Sequence, residues 1–371
     1  MDAMTTAVAD PAQPVGFSGR LGSYLGMAIG NLLLTIVTLG IYRFWAKTKV
    51  RRHLWERTTF QGEALEYRGR GIEKFIGALI VFAVLIVPLF LFGLVSVALT
   101  ASGNKEWTPL FALPLDIGLL WLFGVGMYRS QRYLFSRTSW RGIRGGMANG
   151  GWFYGWNFLK YTLLQVVTLG FTGPYIATKL WNLRMNDAMF GSAEVHADAQ
   201  WRPVYGDFLA AWLGALVIYG TALFLVFTQF GDLIAAMKPG APPPADPKAI
   251  AAAFIKVYGV MIGAALVASF FMMRYRAILL RELFGKTRLD TLGFRFDATG
   301  LDLFKFQLAN IALLVVTFGL VTMVMPFRIW RFYTRHLATV GHLDADSLQQ
   351  TTLAGPSQGD GIADAFDAAA F

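Results

Sequence analysis

Four long apolar stretches constrain this chain more than any other feature of its sequence. Each carries at most one charge and has about 18 to 25 residues, enough for a helix to cross a hydrocarbon core of ~30 Å. They lie at Phe75–Leu99, Leu110–Met127, Phe208–Phe230 and Ala249–Met273. The sequence therefore predicts four membrane-spanning helices in two pairs, at residues 72–128 and 207–275.

Composition supports a membrane environment and excludes several chemistries. Hydrophobic residues make up 55% of the chain and charged residues 15%, below the ~25% charged residues of a typical soluble domain. The absence of Cys excludes disulfides, thiolate metal sites and cysteine nucleophiles. Four His residues leave little material for a metal centre, so we expect neither a metal nor another cofactor.

Three further apolar stretches resemble one another. They read NLLLTIVTLG at residues 31–40, YTLLQVVTLG at 161–170 and NIALLVVTFG at 310–319. Each continues into a basic segment that contains Trp, and each reaches another Gly at a matched distance. We interpret these segments as three internal repeats, at residues 21–62, 158–191 and 302–341.

A Thr-x-Gly triplet closes each apolar repeat helix. Gly supplies the left-handed residue that ends a helix, and a Thr hydroxyl can satisfy a freed backbone group. The residues concerned are Thr38, Gly40, Thr168, Gly170, Thr317 and Gly319. This pattern predicts three helical hairpins, each of which enters and leaves the membrane on the same side. The alternative is that each repeat is an ordinary span with a glycine kink.

The distribution of positive charge favours the hairpins. With all three repeats on one side, only Lys105, Lys238, Lys248 and Lys256 of the 33 Lys and Arg residues fall outside that side. Seven alternating spans would divide the same residues 21 to 12. Because Lys and Arg concentrate in cytoplasmic segments, we expect the repeats and both termini to be cytoplasmic.

The segment after the first turn is amphipathic and dense in positive charge. Its basic residues and flanking tryptophans are Lys47, Lys49, Arg51, Arg52, Trp45 and Trp55. Such a helix suits an interface with anionic lipid head groups. We therefore expect membrane lipids as partners and no nucleic acid, since no nucleic-acid-binding motif accompanies the charge.

Short alternating runs that end in Gly follow several helices, and they predict small cytoplasmic strands. Residues 1–20 and 343–371 are poor in core-forming residues, and we expect them to be disordered around one membrane domain at 21–342. The predicted fold class is an all-α polytopic membrane protein, with four spanning helices, three same-side hairpins and short cytoplasmic β-strands.

The candidate chemistry is sparse. Asp116 is an acidic residue well inside a predicted span, and it has two interpretations of equal weight: a functional intramembrane carboxylate, or a side chain that reaches the outer interface. Gly285-Lys286-Thr287 resembles the end of a P-loop, but Leu280 stands where that motif needs Gly. We assign no catalytic residues and expect no enzyme.

Two phrases resemble a known family. The run TIVTLGIYRFWAKTKVRRHLW at residues 35–55 and the run SRTSWRGIRGG at residues 136–146 are similar to the YjgN-like family of bacterial inner-membrane proteins. The resemblance covers roughly residues 16–350. It implies a multi-pass protein of the bacterial inner membrane and contributes no catalytic residues.

Two classes of function remain. Same-side repeats with helices broken at Thr-x-Gly suit a transporter or channel-like protein. The alternative is a non-transporting, lipid-contacting scaffold or assembly partner. A polar cavity lined by Asp116 and the three turns would favour the first class, and a dry helix bundle over a flat basic base would favour the second.

Overall fold

The computed structural model describes residues 12–236, 247–344 and 348–353. Of the two termini that we expected to be disordered, residues 1–11 and 354–371 lie outside the described part of the chain.

Ten α-helices occur within the described residues. They are α1 (Leu21–Val37), α2 (Arg43–Trp55), α3 (Gly71–Ala101), α4 (Thr108–Arg137), α5 (Trp152–Val167), α6 (Gly173–Met185), α7 (Arg202–Ala236), α8 (Pro247–Gly285), α9 (Gly300–Val316) and α10 (Met325–His336). Short 3-10 turns lie at Lys105–Trp107 and Leu320–Met323. By length and composition, α3, α4, α7 and α8 could cross a membrane.

Eleven short strands also occur within the described residues. They are β1 (Gln13–Pro14), β2 (Gly16–Phe17), β3 (Thr58–Phe60), β4 (Glu63–Tyr67), β5 (Thr138–Trp140), β6 (Ile143–Met147), β7 (Ala188–Phe190), β8 (Ala193–Ala197), β9 (Thr287–Leu289), β10 (Leu292–Phe296) and β11 (Leu337–Val340).

All eleven strands pair antiparallel in one sheet. From edge to edge the order is β1-β11-β10-β9-β8-β7-β6-β5-β4-β3-β2. The two edge strands are consecutive in the chain, because only Val15 separates β1 from β2. The sheet therefore curls into a nearly closed ring.

This ring shows that the expected all-α fold class was wrong. The sequence predicted short strands, but as minor additions to a helical protein. Each strand has only two to five residues. On one side, most strands pair with a strand from which two helices separate them in the sequence. Short runs carry little periodicity, and periodicity does not show which distant segment a strand pairs with.

Two kinds of connection alternate around the ring. Strands of the pairs β3–β4, β5–β6, β7–β8 and β9–β10 are joined by two-residue turns. In the first of these turns, Gln61 and Gly62 have φ of 48° and 84°. Two consecutive positive φ values are typical of the type I′ hairpin turn, whose twist matches that of the strands.

The other connections are pairs of helices. α1 and α2 join β2 to β3, α3 and α4 join β4 to β5, and α5 and α6 join β6 to β7. In the same way, α7 and α8 join β8 to β9, and α9 and α10 join β10 to β11. Each helical pair thus leaves the sheet from one strand and returns to the neighbouring strand.

Two compact units make up the chain. The first comprises residues 1–199, 283–297 and 313–371, and it contains the whole sheet. Its largest buried cluster surrounds Tyr128 and Trp140. A second cluster in this unit joins α1, α2 and α10 through Tyr24, Leu54 and Phe327. The first two helices and the last helix of the described chain therefore share a core.

The second unit comprises residues 200–282 and 298–312. It is built on α7, α8 and most of α9, and Val204, Phe208 and Tyr275 are buried together in it. Arg274 Nε donates to Asp207 Oδ1 at 2.9 Å. These contacts hold the ends of α7 and α8 together.

Candidate functional site

The three Thr-x-Gly turns have the same backbone geometry. In each of them, a left-handed apolar residue precedes a left-handed Gly. The φ values are 49° and 91° at Leu39 and Gly40, 49° and 90° at Leu169 and Gly170, and 49° and 86° at Phe318 and Gly319. We expected a left-handed Gly in each turn, but not the left-handed residue before it.

Hydrogen bonds inside the first turn satisfy its backbone. Gly40 N donates to Thr35 O at 2.7 Å, which closes the helix end. The Thr38 hydroxyl donates to Leu34 O at 2.7 Å and accepts from Tyr42 N at 2.9 Å. In the other two turns, Thr168 and Thr317 donate to the carbonyls of Leu164 and Leu313, each at 2.7 Å. Such a turn can lie in hydrocarbon because little of its backbone needs water.

The tips of the hairpins are apolar and exposed. Leu39 is 94% exposed, Leu169 78% and Phe318 97%. Val37, Val167 and Val316, on the preceding helices, are also exposed. Isolated exposed apolar residues are ordinary on protein surfaces, but a continuous apolar patch marks an interaction site.

The basic residues of α2 divide between two environments. Lys47, Lys49 and Arg52 are exposed, whereas Arg51 is 3% exposed. The Arg51 guanidinium lies 6.0 Å from the centre of the Tyr67 ring. Of the four basic residues that we expected at the lipid head groups, the structure therefore places three on the surface and one inside the protein.

The two tryptophans of α2 also differ. Trp45 is half-buried, whereas Trp55 is 4% exposed and stacks on Trp330 of α10 with ring centres 4.2 Å apart. Trp55 therefore packs in the core between α2 and α10.

Three tryptophans, one each from α2, α6 and α10, donate to a Thr that begins a strand. Trp55 Nε1 donates to Thr138 at 3.0 Å, Trp181 Nε1 to Thr287 at 3.0 Å, and Trp330 Nε1 to Thr58 at 2.8 Å. A buried indole N–H needs such a partner. The three bonds fasten α2, α6 and α10 to the ring.

A cavity of about 260 Å³ lies between α1, α2 and the segment that leads into α10. Its charged lining comes from Arg43, Lys47 and Arg51, which follow one another at intervals of four residues along one face of α2. The remaining lining is Tyr24, Ala28, Asn31, Leu32, Thr35, Ala46, Val50, Thr322, Met323 and Pro326. The cavity could not be predicted from the sequence, because its walls come from segments that are almost 300 residues apart.

Asn31 is the most unusual residue in the cavity lining. It is 7% exposed, and its Nδ2 has no hydrogen-bond partner among the described residues. Leaving a buried donor unsatisfied costs about 1–3 kcal/mol. In the sequence, Asn31 is visible only as a polar residue inside an apolar helix. The simplest role for such a residue is a hydrogen bond to a neighbouring helix.

Asp116 lies elsewhere. Its side chain is exposed on α4, and neither Asp116 nor the three turns line the cavity between α1, α2 and α10. That cavity therefore lacks the carboxylate that we associated with a transport pathway.

Four helices of spanning length and apolar composition, together with three helical turns that expose apolar tips, fit a membrane protein. Residues 12–365 match the family described as "Bacterial protein of unknown function (DUF898)". The chain belongs to this family, which confirms the resemblance found in the sequence.

Three curated relatives carry the name inner membrane protein YjgN. The protein from Salmonella typhimurium is 40% identical over 75 residues, which are 20% of this chain and 19% of the relative. The protein from Escherichia coli O157:H7 is 27% identical over 190 residues, 50% of this chain and 44% of the relative. The protein from Escherichia coli K12 is 28% identical over 173 residues, 46% and 39% of the two chains.

The chain thus spans less than half the length of each of these relatives. Their names support the bacterial inner membrane as its location. No solved structure matches the chain.

Proposed function

We propose that this protein is a lipid-contacting protein of the inner membrane, with its sheet on the cytoplasmic side. In this proposal α3, α4, α7 and α8 cross the membrane as two pairs. The three hairpins enter the cytoplasmic leaflet and return from it, and their basic second helices contact anionic head groups. The observation that carries the proposal is the exposed apolar tip of each hairpin.

The energetics of the tips favour insertion. A left-handed conformation costs a residue with a side chain about 1–2 kcal/mol, and Leu39, Leu169 and Phe318 each adopt it. Removing a Leu or Phe side chain from water gains about 1.5–3 kcal/mol. An apolar tip is therefore favourable in lipid, whereas in water the chain would bear the strain without this gain.

Helix length and connectivity agree with a hairpin that returns. α1 has 17 residues and is therefore about 25 Å long, shorter than a hydrocarbon core of ~30 Å. Each helical pair also begins and ends at neighbouring strands of the ring. Because the edges of such a sheet need polar partners, the sheet belongs outside the hydrocarbon. All five pairs would then start from one side, which agrees with the distribution of Lys and Arg.

Orientation can be tested with single cysteines in this Cys-free chain. Ser192 and Thr291 are exposed at turns of the sheet, and Ser102 is exposed between α3 and α4. We expect a membrane-impermeant thiol reagent to label Ser102→Cys in spheroplasts, and to label the other two variants only after lysis. Labelling of Ser192→Cys or Thr291→Cys in intact spheroplasts would contradict the proposed orientation.

Lipid contact can be tested by removing charge from α2. Each basic residue near an anionic leaflet contributes about 1 kcal/mol. The variant Lys47→Gln/Lys49→Gln/Arg52→Gln should therefore retain much less phosphatidylglycerol than the wild type when purified at low salt. The difference should shrink at high salt, where charge is screened.

The matched control for this variant is Lys105→Gln/Lys248→Gln/Lys256→Gln. It loses the same net charge on the opposite side of the proposed topology. Equal retention of phosphatidylglycerol by wild type and the α2 variant at low salt would refute lipid contact.

Transport is the second candidate function. The observation that favours it is that three apolar helices end at Thr-x-Gly turns, as broken helices do in transporters. Lipid contact predicts that proteoliposomes of the purified protein hold a proton or K⁺ gradient as well as empty liposomes. A leak that depends on the protein would favour transport.

A further inference from the structure

We propose that the cavity between α1, α2 and the start of α10 binds one anionic phospholipid, with its phosphate on the basic face of α2. This inference rests on the proposed function. It goes further by assigning one lipid to a defined site, in addition to the diffuse contact of α2 with the leaflet.

Positive charge is concentrated on one wall of the cavity. Arg43, Lys47 and Arg51 span two turns of α2, or about 12 Å. The lining contains no Asp or Glu, and Lys47 has no hydrogen-bond or ion-pair partner within the described part of the chain. An anion placed here meets a cationic wall to which Lys47 contributes a charge that is not already paired among the described residues. Phosphate oxygens suit both guanidinium and ammonium donors.

Asn31 points independently to a ligand with hydrogen-bond acceptors. Its amide Nδ2 is a donor, it is buried, and none of the described residues accepts from it. The nearby hydroxyls of Thr35 and Tyr24 donate to Asn31 O at 2.7 Å and to Met323 O at 3.0 Å, and neither accepts a hydrogen bond from Asn31 Nδ2. A phosphate or glycerol ester oxygen would supply the acceptor that Asn31 lacks.

The rest of the lining is suited to hydrocarbon. Ala28, Leu32, Val50, Met323 and Pro326 contribute apolar wall. A small anion would leave this apolar wall without a partner, whereas an amphiphile would contact both the basic wall and the apolar wall of the cavity. The volume of about 260 Å³ is slightly below the ~300–1,000 Å³ of pockets that enclose a whole small molecule. The cavity therefore accommodates the head group and the first part of an acyl chain, while the remainder lies in the bilayer.

Exposure decreases from one side of the cavity to the other. Arg43 and Lys47 are exposed, while Asn31, Arg51 and Tyr24 are buried. A head group can therefore enter past the first two cations. At the buried side it meets the amide of Asn31, whose donor is satisfied only by the bound lipid.

The test compares residues that line the cavity with a neighbour that does not. The full chain is reconstituted in nanodiscs of phosphatidylglycerol and phosphatidylethanolamine, extracted with detergent at high salt, and examined by native mass spectrometry. The variants are Lys47→Gln, Asn31→Leu and Ala46→Phe. Lys49→Gln is the comparison on the same helix, because it removes the same charge from an exposed site outside the cavity. Lipid that Lys49 attracts only by surface charge is screened and removed by the extraction at high salt, so this readout reports the cavity alone.

We expect one phosphatidylglycerol to stay bound to the wild type and to Lys49→Gln. In each cavity variant the occupancy of the bound lipid should fall about tenfold, because the substitution removes one charge-assisted contact or fills the space of the lipid. Ala46→Phe retains every charge and fills the cavity, so its loss would locate the lipid there. Thermal unfolding of each variant verifies that the protein is folded.

Each other outcome has a distinct meaning. Equal losses in Lys47→Gln and Lys49→Gln would refute the site while leaving the proposed lipid contact intact. If neither these variants nor the α2 triple variant at low salt lost phospholipid, both the cavity site and the proposed lipid contact would be refuted. Displacement of the phospholipid by excess inorganic phosphate would overturn the lipid assignment and indicate a site for free phosphate.

Discussion

Replacing Gly40 with Ala tests whether the hairpin turn depends on a left-handed glycine. Gly40 has φ of +91°. Gly30, ten residues earlier within α1, has no such strain and is the matched control. A Cβ atom added at either position meets nothing within 4 Å. The two substitutions therefore add the same methyl group to open space and differ in backbone conformation.

The expected magnitudes have opposite signs. Ala in a left-handed conformation costs about 1–2 kcal/mol, and the φ of Gly40 lies beyond the centre of that region near +57°. Ala in place of Gly inside a helix gains up to about 1 kcal/mol. The free energies of unfolding of Gly40→Ala and Gly30→Ala should therefore differ by about 2–3 kcal/mol.

Unfolding by a denaturing detergent, followed by tryptophan fluorescence in a fixed lipid–detergent mixture, measures this difference. Gly170→Ala and Gly319→Ala should repeat the result of Gly40→Ala, since both glycines have nearly the same φ, 90° and 86°. A Cβ atom added at Gly319 also meets nothing within 4 Å. Gly103, between α3 and α4, is unsuitable as a neutral control because its φ is +78°. Equal stabilities of Gly40→Ala and Gly30→Ala would show that the turn does not require its left-handed glycine.

Two further predictions concern the core that α1, α2 and α10 share. Trp330→Phe should lower the free energy of unfolding by about 1 kcal/mol, the value of one hydrogen bond, because it removes the 2.8 Å bond to Thr58; the exposed Trp107 is the control, and Trp107→Phe should change little. The second prediction concerns His53, whose pKa is lowered by burial and then by the nearby Arg57 cation, with Glu56 opposing. A lowered pKa favours neutral His in the folded state, so unfolding should become easier as pH falls below about 6.5. His53→Gln should flatten this dependence, and an unchanged pH profile would contradict it.

Local features of the helices could be predicted from the sequence. A helix long enough to span a membrane is specified by its own apolar residues. The turns are equally local: Thr38 and Gly40 form their hydrogen bonds with residues of the same helix and the next one. These interactions act over four or five residues, so the order of residue types determines them.

The candidate site was only partly predictable. A run of basic residues on α2 is visible in the sequence, but the burial of Arg51 and Trp55 is not. Helical periodicity shows that two residues share a face; it does not show which other segment covers that face. α10 covers Trp55 through Trp330, about 275 residues further along the chain.

The sheet was decided by tertiary structure alone. Strands of two to five residues have little stability by themselves, and each gains it from a neighbour that the sequence does not identify. β8 pairs with β9 although about 90 residues lie between them. The cavity follows from the same long-range assembly, because α1 and α2 form two of its walls and the approach to α10 closes it. The sequence by itself determined the helices, the turns and the distribution of charge, since each depends on neighbouring residues; the ring and the cavity depend on contacts between distant segments.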